Sequence, residues 1–163
     1  MRYLFNTLRI AASLPIILAA LVFTGCAAKP ETSAKAARLD SGSDLVIQVK
    51  DVTEKAVFYP MDIDGTELEV FAVKAADGTI RTAFNTCQVC YDSGRGYYKQ
   101  DGDVFVCQNC GNRFETNQIE AIRGGCNPWP ILPENKAETN ETITISYDYL
   151  KEATAIFGNW KRE

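Results

Sequence analysis

From Asp44 onward, apolar and polar residues alternate over short stretches with the two-residue period of half-buried strands. Leu45-Val46-Ile47-Gln48-Val49 is the first such stretch, and Ala56-Val57-Phe58-Tyr59, closed by Pro60, is the second. Glu67 to Val73 starts as acid and apolar in turn, reaches Asp77-Gly78 and resumes as Thr79 to Phe84, which predicts a hairpin. A second hairpin is predicted to run through Gly96-Tyr97-Tyr98-Lys99, turn at Asp101-Gly102 and return as Asp103-Val104-Phe105-Val106 straight into Cys107. Thr142 to Tyr147 is a further strand. Only Tyr149 to Phe157 has helical spacing, with Leu150, Ala153 and Phe157 on one face. Asp62 and Asp64, in Met61-Asp62-Ile63-Asp64-Gly65, have a calcium-loop flavour but lack its remaining ligands, and they read as a turn. The pattern predicts a mainly β protein, a small β-sandwich or barrel with one short C-terminal helix.

Ahead of the strands the pattern changes. Arg2 and Arg9 precede the apolar run Ile10 to Phe23, which Pro15 interrupts, and this is the layout of an export signal. The run ends in Phe23-Thr24-Gly25-Cys26, which resembles the lipobox of bacterial lipoproteins, and that makes Cys26 the candidate lipidation site. Two other readings stand beside it. One is an uncleaved anchor through residues 10–25, since no charge lies between Arg9 and Lys29, and the other is cleavage after Ala28, which would release the protein. Lipid attachment or an anchor holds the chain to membrane lipid and leaves the folded part outside the cytoplasm, in a bacterial cell envelope.

Residues 27–43 are small and polar with no aromatic side chain, the composition of a flexible tether. The expected organisation is therefore a signal, lipoprotein segment or anchor at 1–26, a tether at 27–43 and one β domain at 44–163, with a cysteine-bearing subdomain at 84–131. A chain of 163 residues has room for one ordinary domain, and a second independently folding core is not expected.

Composition alters this picture in two ways. The chain has six cysteines and no histidine, which excludes a Ser-His-Asp triad, a Cys-His pair, a Cys2His2 finger and any histidine-ligated haem or copper. Its formal charge is −4, and removal of residues 1–25 takes away Arg2 and Arg9, leaving 15 bases against 21 acids, or −6. Nucleic acid is disfavoured as a partner, because phosphate binding draws on clustered lysine and arginine. No acid/base pair stands out, so the sequence favours an electron carrier or metal-binding protein over an enzyme.

The chemistry concentrates in Cys87-Gln88-Val89-Cys90 and Cys107-Gln108-Asn109-Cys110, separated by sixteen residues that contain the second hairpin. A hairpin of that length brings both Cys-x-x-Cys knuckles to one end of a ribbon. Two intervening residues let both sulfurs of a knuckle face one point, with backbone N–H groups turned toward them. Cys87, Cys90, Cys107 and Cys110 are the candidate ligands, and four thiolates suit an iron-sulfur cluster, a single iron or tetrahedral zinc. Gly111 follows Cys110 where such a loop needs a positive φ.

Exported thiols are usually oxidised, so disulfides or a dithiol redox pair are the competing reading. Cys126 lies in Gly124-Gly125-Cys126-Asn127-Pro128-Trp129-Pro130, a setting that holds the thiol in place. It is an additional ligand, a reactive thiol or a small buried hydrophobe. Tyr91, Tyr97, Tyr98, Phe105, Phe114 and Trp129 surround the cysteines in sequence as packing that would also exclude water.

The segment Asn85 to Ile131, with its Cys-x-x-Cys, Gly-Tyr-Tyr, Val-Cys-x-x-Cys-Gly, Phe114 and Gly-Gly-Cys-Asn-Pro elements, resembles the FtrD-like membrane iron-sulfur protein family. The resemblance spans most of residues 45–150. It implies a membrane-associated domain that binds an iron-sulfur cluster or another metal, linked in some members to iron uptake systems in which electrons pass through a ferredoxin-like subunit. It further implies Cys87, Cys90, Cys107 and Cys110 as ligands, Cys126 as a fifth motif cysteine, and a membrane redox or transport partner. The layout is also similar at the fold level to rubredoxin- and Rieske-like metal tips. A Rieske loop offers Cys and His, whereas here cysteine fills both places, which implies a more negative centre of lower potential. The alternative is a structural-zinc module or metallochaperone with no redox role.

Overall fold

The computed structural model describes residues 37–38 and 42–161. The candidate export segment at 1–26, Cys26 and most of the expected tether lie outside the described residues. Ala37–Arg38, from the tether segment, forms a short strand, β1. The following strands are β2 (Leu45–Gln48), β3 (Val57–Ile63), β4 (Thr66–Lys74) and β5 (Ile80–Cys87). They continue as β6 (Tyr98–Asp101), β7 (Val104–Cys107), β8 (Arg113–Glu115), β9 (Pro128–Pro130), β10 (Ala137–Glu138) and β11 (Thr142–Ile145). Helix α1 (Tyr147–Ala153) follows, capped by the Ser146 side chain and extended by a 3-10 turn at Thr154–Phe157. The architecture is mainly β with one short C-terminal helix, as the alternation predicts.

Three sheets are present among the described residues. The central one has the order β1-β3-β4-β5-β9, a second has β10-β11-β2, and the third has β6-β7-β8. Both predicted hairpins form: β4 pairs with β5, and β6 pairs with β7 in the register Tyr98↔Cys107 to Asp101↔Val104. β4 explains why the simple alternation fades after Glu69. Leu68, Val70 and Ala72 belong to a core shared with β2, β11 and the C-terminal helix. Phe71 and Val73 point into a second core with Tyr98, Phe105 and Cys107 of the knuckle hairpin. The central sheet is therefore covered on both faces, and its strands carry apolar residues on both.

One expectation needs correction. β3 does not close at Pro60 but runs through it to Ile63, paired along its length with β4. A proline lacks only one ladder donor, and the other flank of β3 is paired over just Met61 and Asp62 by β1. Pro128-Trp129-Pro130 is an edge strand against β5, with Ala83↔Pro130 and Phe84↔Trp129 in register. Prolines are tolerated at such an edge.

Asn85 fastens the knuckle hairpin to the central sheet. Its side chain donates to Glu69 Oε1 at 2.7 Å and accepts from the Tyr98 N–H at 2.7 Å, while Trp160 Nε1 donates to its carbonyl at 2.7 Å. Phe105 stacks on Phe71 with ring centroids 4.5 Å apart. These contacts fix the orientation of the ribbon that carries the cysteines.

Candidate metal centre

The first knuckle is the end of β5 and the turn after it. The Cys87 N–H donates to Gly96 O at 2.7 Å, and the Cys90 N–H turns back to the Cys87 sulfur at 3.3 Å. The second knuckle starts at the last residue of β7: the Cys107 N–H donates to Asn112 O, and the Gly111 N–H to Cys107 O, both at 2.9 Å. Gly111 has φ +73°, the left-handed conformation expected there.

A third loop completes the tip. Gln88 sits between the first knuckle and this loop, with its N–H donating to Asn127 O at 3.0 Å, its Nε2 to Pro128 O at 3.2 Å, and its Oε1 accepting from the Gly124 N–H at 3.1 Å. The carbonyl of Cys126 accepts from Tyr98 Oη at 2.9 Å and from Asn112 Nδ2 at 3.2 Å. Both knuckles thus grip the segment that presents Cys126.

All five cysteines among the described residues meet here as free thiols. The ligand atoms of Cys87, Cys90, Cys107 and Cys126 lie within 4.8 Å of one another. Cys126 Sγ is 3.2 Å from that of Cys87, 3.9 Å from that of Cys90 and 2.7 Å from that of Cys110. Cys87, Cys90 and Cys107 are buried, Cys126 is half-buried and Cys110 is exposed.

Charge in this pocket is unevenly shared. The hydrogen bond from the Cys107 thiol, helped by Tyr98 and the Cys90 and Val89 N–H groups, outweighs burial and pulls the Cys87 thiol down to about 4. The same Cys87–Cys107 contact, with burial, pushes Cys107 upward. Burial is the main cause of the upward shifts at Cys90 and Cys126, the latter reinforced by contacts with Cys110 and Cys87. At Cys110, desolvation raises the pKa, but hydrogen bonds with Cys126 and the Asn112 backbone more than offset it, so the net shift is downward. The Tyr98 hydroxyl is held protonated by its burial and then by Cys87. One thiolate is therefore favoured at Cys87 while its buried neighbours retain protons that a bound cation would displace.

The donor set suits a soft metal. Every side-chain ligand in the pocket is sulfur, and a tetrahedral ion with metal–sulfur bonds of about 2.3 Å places its sulfurs about 3.8 Å apart. The spacings of 3.2 and 3.9 Å bracket that value. An iron-sulfur cluster takes the same thiolate ligands, with its own sulfides interposed.

Tyr98 reads in the sequence as packing that would exclude water, and in the fold its hydroxyl also donates to the Cys126 carbonyl. Gln88 and Asn112 carry no sequence signal for their bracing role, because their partners lie on a loop distant in the chain. Among the described residues, no helix is long and apolar enough to cross a membrane.

Residues 49–157 match the family described as membrane iron-sulfur containing protein FtrD-like. No curated protein matches the chain.

Proposed function

This chain belongs to the FtrD-like family of membrane iron-sulfur containing proteins, and from that premise we propose that it is an extracytoplasmic, membrane-attached electron carrier built around an iron-sulfur or iron centre. The observation that carries the proposal is the convergence of five free cysteine thiols from three loops on one pocket, three of them buried. Iron held by thiolates supplies a one-electron couple. The residues around it have their own tasks. Cys87 offers a thiolate before any metal arrives, the Cys90 N–H and the Tyr98 hydroxyl moderate its charge, and the second core beneath Cys87 and Cys107 keeps water away. The exposed side chains of Val89, within the first knuckle, and Tyr91, just after it, form an apolar rim suited to a redox partner in the envelope. Iron uptake is the process such a carrier would serve, with Cys26 or residues 10–25 confining it to the membrane.

The tetrahedral spacing supports a second reading, a structural zinc module or metallochaperone. Metal analysis with an absorption spectrum, on protein matured in its own envelope, separates the two. Iron with visible absorption and a reversible one-electron couple is the expected result. A colourless protein with one zinc selects the second reading, and metal-free protein with its cysteines joined in pairs overturns both.

A further inference from the structure

A tetrahedral metal takes four sulfurs and this pocket contains five, so one cysteine has a different task. The group whose ligand atoms lie mutually within 4.8 Å contains Cys126 and omits Cys110. The spacing in the sequence points instead to Cys110 as the fourth ligand beside Cys87, Cys90 and Cys107. Cys126 is the better anchored of the two: its carbonyl accepts from Tyr98 and Asn112, and Asn127 beside it donates its Nδ2 to Ile122 O at 3.0 Å and Gly124 O at 3.1 Å. Cys110 is exposed, and its sulfur lies 2.7 Å from that of Cys126. Cys126 thus stands between the buried sulfurs and a solvent-facing thiol.

We propose that Cys87, Cys90, Cys107 and Cys126 hold the resident metal and that Cys110 is an exchange ligand, which replaces Cys126 when metal is loaded or handed on. The proposal rests on the metal-binding reading above and adds a route for the metal. In the exchange step the Cys110 sulfur forms one bond to the metal and the Cys126 sulfur gives one up. A proton passes from the Cys110 thiol to the departing Cys126 thiolate, and no electron moves. With the exposed Cys110 as a ligand in place of Cys126, the metal would be open to an acceptor bearing thiolates of its own. Four thiolates complete the coordination of a tetrahedral ion, so the fifth sulfur waits outside as a thiol.

The test uses the full chain reconstituted anaerobically with ferrous iron, treated with iodoacetamide and mapped by mass spectrometry. Among the five cysteines of the pocket, labelling at Cys110 alone, with iron retained, is expected. Protection of Cys110 with labelling of Cys126 overturns the assignment while leaving the metal-binding reading intact, whereas wild-type protein that takes up no iron overturns both. In parallel, Cys110→Ser should keep its iron and its spectrum but release iron to a chelator slower by roughly tenfold, the scale on which neighbours of a ligand act. Release at the wild-type rate would remove the exchange role. In the Cys110→Ser background, where no exchange ligand remains, Cys126→Ser should bind iron at least roughly tenfold more weakly than Cys110→Ser alone, and unaltered binding would show that Cys126 is not a ligand.

Discussion

At the scale of single residues, the pocket is governed by which sulfur gives up its proton first. Cys87 does, because the Cys107 thiol, the Tyr98 hydroxyl and two backbone N–H groups all face it. Its thiol is held at about 4 in the fold against about 8.5 in an unfolded chain. Across that window the folded state binds one proton fewer than the unfolded state, so this group adds stability as pH rises and withdraws it as pH falls toward 4. In reductant and chelator, the denaturation midpoint of the metal-free protein should rise from mildly acid to mildly alkaline pH more steeply than that of Cys87→Ala. Parallel pH profiles for the two proteins would remove Cys87 as the ionised thiol. The cysteines themselves are legible in the sequence, since Cys-x-x-Cys spacing is a local property. The order in which they ionise is not, because it depends on Cys107 and Tyr98, which reach Cys87 only through the fold.

At the scale of elements, the β6–β7 hairpin and the loops at its base deliver the two knuckles to one place. Asp101-Gly102 marks the turn and the aromatic run marks the strands, so neighbouring residues alone announce this element. Its foundation has no such local mark. Gly96 lies against the backbone of Cys90 so closely that a Cβ would fall 2.2 Å from Cys90 O and 2.5 Å from its carbonyl carbon. Neither backbone atom can move aside without opening the first knuckle. Gly96→Ala should therefore cost about 1–3 kcal/mol by chemical denaturation and reduce the metal bound per chain. A variant with full metal content and unaltered stability would show that the knuckle tolerates this displacement. β9 is hidden in the sequence for a related reason. Pro-Trp-Pro lacks the usual strand signature and becomes a strand only because β5 offers an edge on which missing donors do no harm.

At the scale of the whole molecule, the segment that carries Cys126 is tied back to the central sheet by buried charge. Lys136, its side chain 1% exposed, donates to Glu120 at 2.7 Å, to Glu138 at 2.7 Å and to Thr82 Oγ1 at 3.0 Å. Glu120 in turn accepts from the Thr82 N–H and hydroxyl. Lys136→Met leaves the Glu120 carboxylate without its cation in a dry setting, and a loss of about 3–5 kcal/mol is expected. The double variant Lys136→Met/Glu120→Leu should recover part of that loss, because two apolar side chains leave no charge stranded, while the buried Thr82 N–H, left without its acceptor, keeps the rest. A single variant within about 1 kcal/mol of wild type by denaturation would show, on the scale expected for exposed pairs, that this one is effectively solvated.

The sequence alone determined the strand-rich class, the two hairpins, the C-terminal helix and the all-sulfur chemistry, because period, turn residues and residue type act over a few neighbouring positions. Only the tertiary structure decided that Cys126 joins Cys87, Cys90 and Cys107 while Cys110 faces solvent. That selection depends on a loop brought back beside β5 from dozens of residues downstream, and on hydrogen bonds across the gap. No local pattern in the chain encodes either one.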